Sequence, residues 1–277
     1  MSISRRHFLC GSLALPAFAA KKAVEAPPNI LLLVADDLPS WMMGAYGNKE
    51  VKTPNLNRLG QMGTHFLNHF TPVPAAAPGF GTLMTGRTPM QLGDAGAISG
   101  ADITIEKVLA TAGYACHTAS PEGAPAVIDQ AKEGAPFFLS VRYSALELPY
   151  GNIPSKYLDL YSDEKFENYS VEPAAANARS GKELLADRVA NLRKVAAAIS
   201  MMDDNVGAMT AKISQKQLLD RTLVVFTSTG GALLAATVYG PPATLPSRST
   251  CSTNPSACRC CGAGRAACRR RKCVWSR

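Results

Sequence analysis

The chain has 277 residues, 47% of them apolar, and a formal net charge of +8. That is enough apolar material for one sizeable α/β domain, and the composition excludes a disordered or disulfide-dense chain. Eight of the 29 Lys and Arg fall between Pro241 and Arg277 with none of the 21 acidic residues, so residues 1–240 are neutral and the basic excess marks a tail, not a face for nucleic acid.

The N-terminus reads as an address. Ser4-Arg5-Arg6-His7-Phe8-Leu9 precedes a short apolar stretch, Cys10 to Phe18, and then the small-x-small site Ala17-Phe18-Ala19. A charged start, a short apolar middle and small residues at the end make a signal peptide, and the paired arginines resemble a twin-arginine signal. The expectation is a bacterial protein exported to the periplasm or beyond, with residues 1–20 removed. No apolar run reaches the roughly 20 residues that a bilayer span needs.

The mature chain alternates strand and helix signals. Ile30 to Val34 is a continuous apolar run, as in a parallel strand buried on both faces, and it ends in Ala35-Asp36-Asp37. Carboxylates at the carboxyl end of a central strand lie where open α/β sheets place their sites. Thr53-Pro54 opens a helix that Gly63 closes, with Leu56, Leu59 and Met62 as its apolar side. A second helix is predicted over Ile103 to Ala112, capped by Thr104, with Ile105, Val108, Leu109 and Ala112 on one face. Pro136 to Tyr143 reads as a strand, Lys182 to Ser214 as a long helical stretch and Thr222 to Thr227 as a last buried strand. The fold class is therefore α/β, with a mostly parallel central sheet flanked by helices. Three organisational units follow: residues 1–20, a domain over 21–245, and a Cys- and Arg-rich tail over 246–277 without apolar periodicity, expected to be disordered.

Several segments in order carry a resemblance. Pro28 to Leu38 (PNILLLVADDL), Gly44 to Asn48 (GAYGN), Thr53 to Gly63 (TPNLNRLGQMG), Pro78 to Arg87 (PGFGTLMTGR), Gly113-Tyr114-Ala115, Pro136 to Leu139 and Thr222 to Ser228 (TLVVFTS) together resemble the sulfatase family, within the alkaline-phosphatase-like superfamily. The resemblance implies hydrolysis of sulfate esters by a formylglycine made from Cys or Ser, assisted by a calcium ion that polarises the sulfate. It also implies that Asp36 and Asp37 are metal ligands, and that the family's smaller C-terminal subdomain is missing here.

The residues that would do this chemistry are mostly replaced. The family signature is Cys or Ser, any residue, Pro, any residue, Arg; here it is Ala76-Ala77-Pro78-Gly79-Phe80. A methyl group cannot become an aldehyde hydrate, so no formylglycine forms at Ala76, and the signature Arg is Phe80. The last strand should lead to two further ligands, yet Ser228 is followed by Thr229-Gly230-Gly231. By spacing, Ser120-Pro121 replaces a Gly-Lys pair and Glu147 a His, while a final His and Lys would fall near Thr237 and Pro241. Only Asp36 and Asp37 remain as metal candidates; calcium takes six to eight oxygens, so they would make a weak site or merely cap a turn. His65 and His69 are spaced to share a helix face but lack a third ligand, and Thr82 and Thr85 suit packing or capping better than nucleophilic attack. One of Asp203 and Asp204, mid-helix, is expected to make a buried structural hydrogen bond.

The tail cysteines, Cys251, Cys258, Cys260, Cys261, Cys268 and Cys273, fit no common zinc spacing; disulfides after export and a shifted reading frame near Ser247 are the other readings. The first functional expectation is an exported sulfatase-fold pseudoenzyme with, at most, a binding role, a sulfated or otherwise anionic glycan being the expected ligand. The alternatives are an active sulfuric ester hydrolase and a nonfunctional fragment.

Overall fold

The structure is a computed structural model that describes residues 27–73, 75–93, 96–132, 134–144, 152–167 and 187–230, with the backbone of 273–275. The segment read as a signal peptide and most of the tail lie outside the described residues, as do Glu147, Gly231, Thr237 and Pro241.

Four apolar segments build the sheet: β1 (Asn29–Ala35), β2 (Ala115–Ala119), β3 (Phe137–Tyr143) and β4 (Thr222–Ser228). The backbone of Cys273–Trp275, within the stretch expected to be disordered, forms a fifth strand, β5, parallel to β4. The order is β2-β3-β1-β4-β5 and every pairing is parallel. In register, Ala35 lies between Tyr143 and Ser228. The chain leaves β1 for one side of the sheet and returns to the other at β4, so the carboxyl end of β1 is the switch point, where open α/β sheets leave a crevice.

The helices are α1 (Pro54–Met62), α2 (Ala76–Thr85), α3 (Pro89–Leu92), α4 (Ile105–Thr111), α5 (Ala124–Asp129), α6 (Ser155–Leu158) and α7 (Arg188–Gln215). Side chains alternate along β1, and each face has its own cover. Leu31, Leu33 and Ala35 join Leu139, Val141 and Phe226 in a large core with Leu56 of α1, Ile128 of α5 and Val195, Ile199 and Val206 of α7. Leu32 and Val34 face the other way, into a smaller core with Phe80, Leu83 and Met84 of α2 and Leu109 of α4. A strand covered on both faces has no solvent side to mark with polar residues, which is why NILLLVA is unbroken.

Two local expectations change. Thr53 precedes α1 but its side chain does not cap it. It accepts from the Gly44 amide at 2.9 Å and pairs with Asn57 Oδ1 at 3.1 Å. The cap comes from α7: Asp203 Oδ2 accepts from the Asn55 amide and Asn55 Nδ2, and Oδ1 accepts from the Leu56 amide at 2.7 Å. This is the buried structural hydrogen bond expected of the Asp203-Asp204 pair. The apolar face predicted for α4 is also only partly used. Leu109 packs inward, whereas Ile105 and Val108 are 38% and 53% exposed and Ala112 is exposed too, because α4 flanks the sheet beside the edge strand β2.

Candidate functional site

The site forms where β1, β3 and β4 end, on the face that α2 covers. Alternation places Asp36 on that face after Leu32 and Val34. Its backbone amide donates to the Tyr143 carbonyl at 2.8 Å, which fixes it against β3. Arg142, one residue before Tyr143, lies on the same face, and its Nε donates to Asp36 Oδ2 at 2.7 Å. The other oxygen, Oδ1, accepts from Thr229 Oγ1 at 3.2 Å. Asp36 is 1% exposed, so its charge is met inside the protein and not by water. Burial pushes its carboxyl above the ordinary range, against the opposing pull of Arg142 and Thr229.

Asp37 turns the chain. Its φ of 52° lies in the left-handed region, which Asp enters more readily than most residues. The Asp37 amide donates to Thr229 Oγ1 at 3.3 Å and the Leu38 amide to Ser228 Oγ at 3.1 Å. The Thr229 amide returns a bond to the Ala35 carbonyl at 3.0 Å. The ends of β1 and β4 are thus stitched by the hydroxyls of Ser228 and Thr229.

The start of α2 presses on this stitch. A Cβ on Gly79 would lie 2.6 Å from the Thr229 carbonyl oxygen, so only glycine permits the approach. Thr71 Oγ1 donates to the same oxygen at 2.9 Å. Ala76, the first residue of α2, is buried and offers only a methyl group. Phe80, one turn further on, lies under the Arg142 guanidinium, with Cζ 4.4 Å from the ring centroid.

The structure therefore gathers Asp36, Phe80, Arg142 and Thr229 into one network and places Ala76 at the head of the helix that closes it. Arg142 was not singled out from sequence, and Thr229 was noted only as standing where the resemblance implied a metal ligand. The available signal was a charged residue near the end of an otherwise buried strand, PFFLSVRY.

The other candidates lie apart from this chemistry. The described residues between α1 and α2 form no helix, so His65 and His69 do not share the helix face that their spacing suggested. The His65 ring meets Tyr46 edge-on at 4.2 Å, and burial holds its pKa below the usual value. Thr85 Oγ1 donates back to the Gly81 carbonyl at 2.7 Å, a local helical bond, and Thr82 Oγ1 is buried. Ser120 accepts from the Gly123 amide in a turn.

Among the described residues no group of three or more His, Cys, Asp and Glu comes together. Both Asp36 oxygens already hold partners, one of them cationic. Calcium needs six to eight oxygens, and a guanidinium 2.7 Å from the carboxylate occupies the counter-ion's place. These residues do not fit a calcium ion, and Ala76 does not fit a formylglycine.

A sulfatase family model matches residues 28–125, which include Asp36, Asp37, Ala76 and Phe80. Human arylsulfatase A is 34% identical over 155 residues, covering 50% of this chain and 30% of that protein. The matched stretch is similar to a sulfatase domain. Its fold agrees. yidJ of Bacteroides fragilis superposes with a TM-score of 0.67 at 20% identity, covering 85% of this chain and 67% of that one. BT4656, in complex with its substrate D-glucosamine-2-N,6-O-disulfate, gives a TM-score of 0.63 at 16% identity over 76% of this chain and 67% of its own. The matched region spans under a third of arylsulfatase A. The described sheet reaches the end of β4, and the residue heading α2 is alanine.

Proposed function

We propose that this sulfatase-fold chain binds a sulfated or otherwise anionic glycan without hydrolysing it. The observation that carries the second half is Ala76. An ester hydrolase working through a covalent intermediate needs an oxygen or sulfur nucleophile where the attack occurs. Ala76 supplies neither, and the Asp36 carboxylate is engaged by Arg142 and Thr229. The ligand class rests on likeness to folds such as BT4656, whose structure holds a sulfated sugar. The polar groups at the strand ends, Arg142 above all, give an anion something to meet, since its side chain is 37% exposed.

The test joins two measurements on the full chain. Release of nitrophenol from nitrophenyl sulfate is expected to equal the buffer rate. Titration calorimetry with a sulfated glycosaminoglycan fragment and its desulfated counterpart is expected to show binding of the sulfated one only. Turnover proportional to protein and lost in Asp36→Ala would make the chain a hydrolase after all. Equal behaviour of the two glycans would remove the ligand class.

A further inference from the structure

We propose that Arg142 is the resident cation of this site. It is a tethered counter-ion that balances Asp36, rests on Phe80 and makes the site independent of divalent metal.

Three contacts carry this. A carboxylate that is 1% exposed must be balanced from within the protein. The balance comes from Arg142 Nε at 2.7 Å on Oδ2, with Thr229 Oγ1 on Oδ1 at 3.2 Å. The guanidinium is in turn seated, with its Cζ 4.4 Å from the Phe80 ring centroid. A planar, weakly hydrated cation suits both contacts at once, since its edge donates to the carboxylate while its face stacks on the ring. A compact, hydrated ammonium would not do both.

The chain's backbone fixes each member. Asp36 and Arg142 occupy the ends of two neighbouring parallel strands, whose register pairs Val34 with Arg142 and Ala35 with Tyr143. Phe80 is held because Gly79, its neighbour, lies against the Thr229 carbonyl. The guanidinium is therefore bounded by three elements, β1, β3 and α2. A divalent ion seeking Asp36 would have to displace a cation that cannot diffuse away.

The stack also couples positions 80 and 142. With Arg at 142, an apolar ring at 80 supplies a negative face, whereas an arginine at 80 would bring a second positive charge to about the same place. The residue found at 80 and the residue found at 142 are thus one electrostatic choice. This holds whether or not a glycan binds.

The test is thermal unfolding of the full chain, as wild type, Arg142→Ala, Phe80→Arg and the double variant, each in millimolar calcium chloride and in chelator. Wild type is expected to unfold at the same temperature in both media. Arg142→Ala and Phe80→Arg are each expected to lower Tm by roughly 5–10 °C, the first by leaving Asp36 unpaired and the second by like-charge repulsion. The double variant is expected to recover most of that loss, since the guanidinium introduced at position 80 then finds Asp36 without a rival. A wild-type Tm raised by calcium overturns the proposal, because a ligand that binds only the native state stabilises it. Losses that simply add in the double variant also overturn it. Should Arg142→Ala fail to fold, Arg142→Lys takes its place, with a smaller loss expected and equal stability to wild type counting against the stack.

Discussion

At the scale of single residues, the site is defined by small and aromatic side chains packed around one buried carboxylate. Ala76 heads α2 with a methyl group alone, and Thr229, just past β4, donates to Asp36. Gly79 shows how closely the pieces fit, because its missing side chain lets α2 reach the Thr229 carbonyl. Gly79→Ala would gain helix propensity yet place a methyl 2.6 Å from a backbone oxygen that is itself held by Thr71. The clash has no flexible partner to yield, so the variant is expected to lose about 1–3 kcal/mol in urea unfolding. An unchanged or raised stability would mean that α2 is not seated against β4. Arg142 shows what single residues conceal. Its type is plain in PFFLSVRY, but its partner lies 106 residues away in sequence and is found only through the β1–β3 register.

At the scale of elements, the sequence was informative where apolar runs were long. The strands read at 30–34, 136–143 and 222–227 are observed at Asn29–Ala35, Phe137–Tyr143 and Thr222–Ser228. The helix from Thr53-Pro54 to Gly63 is observed at Pro54–Met62, and the long one begins its described part at Arg188. β2 escaped because ACHTA is short, mostly exposed and without an apolar run. The cap of α1 escaped for another reason. Thr53 had the right local chemistry, but Asp203, 148 residues beyond Asn55, offers a carboxylate acceptor to two amides at the helix start, where the dipole favours a negative charge. Asp203→Ala is expected to cost about 2–3 kcal/mol, because it takes the acceptor from the Asn55 and Leu56 amides and from Asn55 Nδ2. The pH dependence has a definite sign. Burial raises the folded pKa of Asp203 above 3.8, against the hydrogen bonds from Leu56 and Asn55. The protonated form is the one the folded state favours, so this contribution is complete below pH 3.8 and fades as pH rises through the folded value. The margin of wild type over Asp203→Ala in urea midpoints should therefore be widest in acid and shrink on the way to neutrality. A margin that widens with pH would show that the hydrogen bonds from Asn55 and Leu56 outweigh burial.

At the scale of the whole molecule, scaffold and chemistry have separate requirements. The scaffold needs a central strand buried on both faces, a long helix across one face and glycines where elements touch, and all of these are present. The chemistry that the resemblance implies calls for a nucleophile at position 76 and oxygen donors around a metal, and the described residues offer an alanine and an arginine there. The likeness to sulfatases was legible from ordered motifs because it depends on the scaffold. The site was only half legible, since the alanine at position 76 is written in one position whereas the Asp36–Arg142–Phe80 stack exists only after three elements assemble. A crystal structure of the chain grown in calcium, with anomalous scattering to locate metal, reads both the stack and the metal in one experiment. The Arg142 guanidinium is expected against Asp36 Oδ2, its face on Phe80, with no metal peak at the strand ends. A calcium ion on Asp36 and Asp37, with Arg142 swung away, would show that the site still belongs to the metal and that the arginine is only its neighbour.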